Sequence, residues 1–288
     1  MDRENVRYML IGVDGQPWMF GEADCPLRVV TDPDIGGAGF KVNRLSNVKQ
    51  YGASFNSVSH EIKEFGLEVH LKGMGLKGNA ALDVWKRWRK SLGNGEQELI
   101  FYAMRGNPGA ERYRVSGVRL NGPMPKVELD RIRTSGYFRE TAPLASEHSL
   151  WQGDPLGQTW LASGFGSAQL TYLGDVEAPL VYEVTGPITN LKLGVGGEQV
   201  ELTGTTIPAG QTWKIDTNPQ GQTIRRLSDD VNMKPTVYQN AGAPRSWHKL
   251  IQPNVTGPQS ITIAGTGTSG ATAVAVSCQT FYDNGVPQ

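Results

Sequence analysis

The sequence predicts a mainly β, in broad terms all-β, protein of two domains: an N-terminal β-domain carrying one α-helix and a hairpin, then an antiparallel β-sandwich. Three observations predict it. Gly accounts for 36 and Pro for 17 of the 288 residues, with charged residues at 19%, a balance that suits many short strands joined by turns. Beyond Leu170, short strand-like stretches follow one another at intervals of roughly 8–12 residues, with turn signals between them. Only one stretch, near residue 80, repeats its apolar residues at helical spacing. The length is enough for two domains, each burying its own core.

In the N-terminal half, the short apolar runs Met9-Leu10-Ile11 and Val29-Val30 are split by turn-rich pieces such as Asp32-Pro33-Asp34 and Gly36-Gly37. "FGLEVHL" alternates, with Phe65, Leu67, Val69 and Leu71 on one face and Gly66, Glu68, His70 and Lys72 on the other, which is the pattern of a half-buried strand. "NAALDVWKRWRKSLG" places Ala81, Val84, Trp85, Trp88 and Leu92 on one stripe, predicting a helix over 79–92. Asn79 is expected to cap its first turn and Gly93 to end it, with Lys86, Arg87, Arg89 and Lys90 toward the negative pole. Two tryptophans in one stripe imply a broad partner surface, most simply a sheet. "ELIFYAM" (98–104) and "RYRVSGVRL" (112–120) flank Gly106-Asn107-Pro108-Gly109 and read as a hairpin. Another strand is expected in "GYFRETA" (136–142). Residues 143–170, rich in Gly, Ser and Trp, are expected to include an extended strand returning to the first domain. The boundary is placed near 170, giving domains 1–170 and 171–288.

In the C-terminal half, strands are expected in "PLVYEVTG" (179–186), "TNLKLGV" (189–195), "EQVELTG" (198–204) and "TWKIDT" (212–217). Four more follow in "QTIRRL" (222–227), "SWHKLI" (246–251), "SITIAG" (260–265) and "ATAVAVSCQTFY" (271–282). Gly186-Pro187, Gly196-Gly197, Pro208-Ala209-Gly210 and Asn218-Pro219-Gln220-Gly221 supply turns. In "TWKIDT", Trp213 and Ile215 are expected inward and Lys214 and Asp216 outward, so Asp216 reads as the fixing point of a hairpin turn and not as a catalytic carboxylate.

Several function classes find no support. The formal charge is zero, with 21 Lys/Arg against 17 Asp/Glu in 1–143 and 7 against 11 in 144–288; halves of +4 and −4 could favour head-to-tail contact but are too weak for specific nucleic-acid binding. Cys25 and Cys278 form neither a disulfide framework nor a zinc motif and read as free, partly buried thiols. The start lacks a secretion signal, so a cytoplasmic site of synthesis is expected, with Asn254-Val255-Thr256 a chance triplet. No window is long and apolar enough to span a membrane. Gly73-x-Gly75-x-x-Gly78 sits where a dinucleotide fingerprint would, but about 0.5 chance matches are expected at this glycine content, and neither βαβ alternation nor a ribose-binding acid follows. There is no GxSxG. His60, His70, His148 and His248 lack metal-ligand spacing, even with Glu61, Glu64 and Glu68 near the first two. Asp32/Asp34 and Asp229/Asp230 lie in turn contexts, and the basic run 86–90 reads as a solvated helix face. No catalytic, cofactor or metal residue is assigned, and no enzyme activity is expected.

The stretch Gly174–Arg226 then resembles the C-terminal domain of phage distal tail proteins, the Dit-like or siphovirus tail-component family. The shared features are Gly174-Asp175, Pro179, Gly186-Pro187, Ala209-Gly210, Ile215-Asp216-Thr217 and Arg225. "SWHKLIQPNVTGPQSITIAG" is similar to the family's Trp-x-x-Leu-x-x-x-x-Asn stretch, although Ile251-Gln252-Pro253-Asn254 stands where Pro-Gly-x-Asn is common, and "AVAVSCQTFYDNG" resembles its last strand. "GASFNSVSHEIKEFGLEVHLKG", the helix, the hairpin and "GYFRETAPLASEHSLWQG" are similar to the N-terminal half in outline; the segment 152–170 departs most.

The resemblance implies a belt-type, ring-forming β-domain followed by a galectin-like β-sandwich, and a structural role at the virion tail tip after assembly in the host cytoplasm. It implies a homo-oligomeric ring, typically six copies, between the tail-tube protein and the hub or baseplate proteins, with the tape-measure protein as a further contact and a passage for DNA. The sugar-binding signature of true galectins is absent. A carbohydrate-binding or adhesin module contacting a host-surface glycan is the alternative, with Trp151, Trp160 or Trp247 as its aromatics.

Overall fold

The computed structural model describes residues 6–45, 54–71, 75–106, 112–146, 148–239, 250–253 and 255–287. The chain is mainly β and forms two compact units, 1–153 with 282–288, and 154–281.

The first unit contains β1 (Arg7–Ile11), β2 (Pro17–Phe20), β3 (Leu27–Val29), β4 (Phe40–Leu45), β5 (Ser54–His60) and β6 (Lys63–Leu71). Helix α1 (Asn79–Leu92) follows, then β7 (Leu99–Arg105), β8 (Arg112–Leu120), α2 (Leu129–Ser135), β9 (Arg139–Ser146) and β10 (Trp151–Gln152). The main sheet runs β2-β1-β7-β8-β9-β6-β3. Its two ends are consecutive in sequence, and the Gly21 amide donates to the Leu27 carbonyl at 3.4 Å, so the sheet nearly closes on itself as a barrel. β6 alternates as the sequence predicts, with Phe65, Leu67, Val69 and Leu71 all buried.

Helix α1 packs its stripe on this sheet. Trp88, fully buried, meets Trp18 edge-on with ring centroids 5.6 Å apart and Phe20 at 6.0 Å, both from β2. Gly93 ends the helix, but Asn79 does not cap it. Gly78 occupies the cap position with no side-chain hydrogen bond, and Asn79 is the first helical residue. The glycine's positive φ of 62° turns the chain into the helix, which leaves Asn79 one position too late to cap,.

The second unit contains β11 (Leu156–Leu161), a 3-10 turn at Ala162–Ser167, β12 (Gln169–Leu170), β13 (Ala178–Pro179), β14 (Val181–Thr185), β15 (Ile188–Val195) and β16 (Glu198–Ile207). Next come β17 (Thr212–Asp216), β18 (Thr223–Arg226), β19 (Val231–Asn232), α3 (Lys234–Tyr238), β20 (Leu250–Ile251), β21 (Gln259–Thr266) and β22 (Ala273–Cys278). A six-stranded sheet, β11-β22-β14-β17-β18-β19, and a four-stranded sheet, β12-β21-β15-β16, enclose one core. Tyr182, Val184, Trp213, Ile215, Val274 and Val276 enter it from the first sheet, and Leu191, Leu193, Val200, Leu202, Ile261 and Ile263 from the second. This is the alternation of an antiparallel sandwich.

The units pass into one another at 153/154 and not near 170. Leu156–Leu161 pairs with Cys278–Ala273 along the edge of the six-stranded sheet. Its exposed Gly157, Gln158 and Thr159 break the apolar alternation that would mark it as a strand,. The strand that does return to the first domain is β10, whose Gln152 pairs with Val115. A last strand, β23 (Phe281–Tyr282), carries the chain back. Tyr282 joins the first core, and the Gly285 amide donates to the Ile35 carbonyl at 2.7 Å. Two helices beyond the single one expected are present, α2 and α3; each buries one residue, Ile132 and Val237, too few for a legible stripe. α2 also displaces the expected strand start from 136 to Arg139. The expected hairpin between β7 and β8 pairs Leu99–Arg105 with Val118–Arg112, its tip lying outside the described residues, as does most of "SWHKLI".

Candidate assembly surfaces

The polar residues singled out in sequence resolve into structural roles. Asp216 ends β17, and its Oδ1 accepts the Asn218 amide at 2.9 Å; Asn218 in turn accepts from Gln220 and Gly221 at 3.0 Å each. The neighbouring Thr217, 1% exposed, donates to the Leu180 carbonyl at 2.8 Å and accepts the Leu180 amide at 3.1 Å. With Ile215 fully buried, all three residues of the Ile-Asp-Thr motif are accounted for by core, turn and clamp. The two arginines downstream have other partners. Arg225 pairs with Asp230 and Arg226 with Asp229, both at 2.5 Å. The aspartates of that turn are thereby engaged within their own hairpin.

The basic run of α1 divides. Lys86 pairs with Asp83 at 3.8 Å on the surface. Arg89 reaches inward to Glu140, whose side chain is fully buried, at 2.6 and 3.0 Å. It also donates to the Pro125 carbonyl at 2.6 Å and lies 5.3 Å from the Trp85 ring. A buried carboxylate is tolerated only when paired and hydrogen-bonded, and Arg89 supplies both; no local pattern of residues announces this pair. The glycine motif also serves packing: Gly75 and Gly78 take positive φ, and the Gly78 amide donates to Arg133 of α2 at 2.9 Å, while Gly73 lies outside the described residues.

Among the described residues no three His, Cys, Asp or Glu side chains stand close enough to hold a metal ion. His248 and the side chain of His60 lie outside the description. Cys25 and Cys278 are both buried free thiols, and burial pushes the Cys278 thiol up to about 11, which keeps it protonated and unreactive at neutral pH. Trp151 and Trp160, 2% and 8% exposed, are packed in the two cores and offer no stacking platform to a sugar; Trp247 is outside the described residues. No helix is long and apolar enough to cross a membrane among the described residues.

What the units do present is strand edges. Among the described residues β4 and β5 pair with each other alone, as a two-stranded sheet of their own. In the second unit β16, β11 and β19 are edge strands, the first ten residues long. Val231 and Leu227 are 42% and 46% exposed beside the β19 edge. Counted by unit, the first carries 21 Lys/Arg and 19 Asp/Glu and the second 7 and 9, so the units hold +2 and −2. That is half the asymmetry of the sequence halves, and shape and strand pairing are left as the stronger drivers of any self-contact.

No protein-family profile matches the chain, and no curated protein sequence does. Solved structures do. The Dit protein of phage SPP1, described as a paradigm of the hub adsorption apparatus in phages infecting Gram-positive bacteria, superposes with a TM-score of 0.58 at 9% identity, covering 95% of this chain and 98% of that one. The baseplate of phage P2 in its activated conformation with Ca is similar at a TM-score of 0.45 and 10% identity, covering 96% and 98%. Over nearly its whole length, the chain has the fold of a phage distal tail (Dit) protein.

Proposed function

We propose that this chain is a structural subunit of the tail tip of a long-tailed phage, assembled in the host cytoplasm. It forms a closed ring of six copies that joins the tail tube to the hub or baseplate and contacts the tape-measure protein. The observation that carries this reading is the fold shared with the SPP1 Dit protein over 95% of this chain. The strand edges support it. A two-stranded ribbon such as β4–β5 is marginal by itself in water, and exposed edges complete themselves against neighbours. A closed ring uses two different patches on each subunit. The chain works by assembly and not by catalysis, and Trp151 and Trp160, two of the three aromatics that the glycan-binding alternative would use, are buried. Gold-labelled antibody against the chain, applied to purified virions, is expected to mark the distal end of the tail. Label on the capsid, or none on intact and tip-disrupted particles, would refute the assignment.

A further inference from the structure

One cleft of the first unit has the makings of a recognition site. It lies between the strap 123–128, helix α2 and the start of β9, with a volume of about 450 Å³. The half-buried Tyr137 lines it, with the core residue Phe138 behind at 2% exposure. Lys126 of the strap and Arg131 of α2, both exposed, also line it, as does Arg139.

Both walls are fixed before any ligand arrives. The strap is held through Pro125 by Arg89, itself locked on the buried Glu140. Helix α2 is held by fully buried Ile132 and by the Gly78 amide bonded to Arg133. Arg139 is occupied by Glu68 at 2.7 and 2.9 Å. Among the described residues neither Lys126 nor Arg131 is paired with a carboxylate; the Arg131 guanidinium lies 5.8 Å from the Tyr137 ring. Two available cations and the accessible Tyr137 ring, lining one cleft, match a carboxylate attached to an apolar group.

We propose that this cleft binds an acidic peptide segment of a partner protein, its carboxylates taken by Lys126 and Arg131 and a neighbouring apolar side chain resting on Tyr137. Charge argues against nucleic acid as the occupant. Arg139 is engaged by Glu68 and Glu128 also lines the cleft, so the cations of the cleft form no unbroken row of the kind a surface that tracks phosphates needs. The site lies within one unit of one copy, so binding requires no ring and can fail or succeed independently of the tail-tip reading.

The test is fluorescence anisotropy on the full chain with a labelled peptide alternating Glu and Phe, its Gln-for-Glu counterpart, and single- and double-stranded DNA of matched length. The Glu peptide is expected to bind saturably and more weakly at high salt, and the Gln peptide not to bind. The double variant Lys126→Gln/Arg131→Gln, both sites being exposed, is expected to melt with the parent and lose about tenfold in affinity. The proposal is overturned by an absence of saturable binding, by equal binding of parent and double variant, or by DNA binding more tightly than the Glu peptide through the same two residues.

Discussion

Asp216 ends a core strand, and its carboxylate accepts the Asn218 amide at 2.9 Å. Removing that acceptor leaves a turn amide to water and loosens the β17–β18 connection. Asp216→Ala is therefore expected to cost about 1 kcal/mol, read as a lowered melting temperature, while Asp216→Asn, which keeps an acceptor, stays near the parent. An alanine variant as stable as the parent would remove the structural role assigned here. The reading of Asp216 was available from sequence because its position, after an apolar alternation and before Asn-Pro-Gln-Gly, fixes a turn locally. The Arg89–Glu140 pair was not available. Fifty-one residues separate the two, and nothing local distinguishes Arg89 from the solvated Lys86, Arg87 and Lys90 around it. Long-range pairing of charges is set by which face of the helix meets the sheet, and sequence gives that face only through its apolar residues.

At the scale of elements, legibility followed periodicity. α1 and β6 carry uninterrupted stripes, and their positions were readable. α2 has one buried residue in seven and β11 one in six, so neither leaves a pattern, and the unit boundary was displaced accordingly. The dependence of the first unit on α1 is concentrated in Trp88, the largest fully buried side chain of the helix and edge-on to Trp18 and Phe20. Trp88→Ala is expected to cost about 3–5 kcal/mol and to split calorimetric unfolding into an early transition of the first unit and an unchanged one of the second. A single transition at the parent temperature would show that the helix contributes little. Gly136 is the other fixed point of this region. Its φ is 66°, and a Cβ there would collide with the Leu76 carbonyl, so the turn from α2 into β9 has room for no side chain.

At the scale of the whole chain, two β-rich units present strand edges along which a neighbour could pair,. The tail-tip ring proposed above would be built through those surfaces. The β4–β5 ribbon and the ten-residue edge strand β16 are the places where one copy is expected to meet the next under this proposal. The measurement that tests this most directly is the mass of the purified chain by light scattering after size exclusion, with negative-stain images of the same peak. A closed ring of about six subunits is the predicted result. A monomer at every concentration, persisting when the tail-tube and hub proteins of the same phage are added, would contradict it.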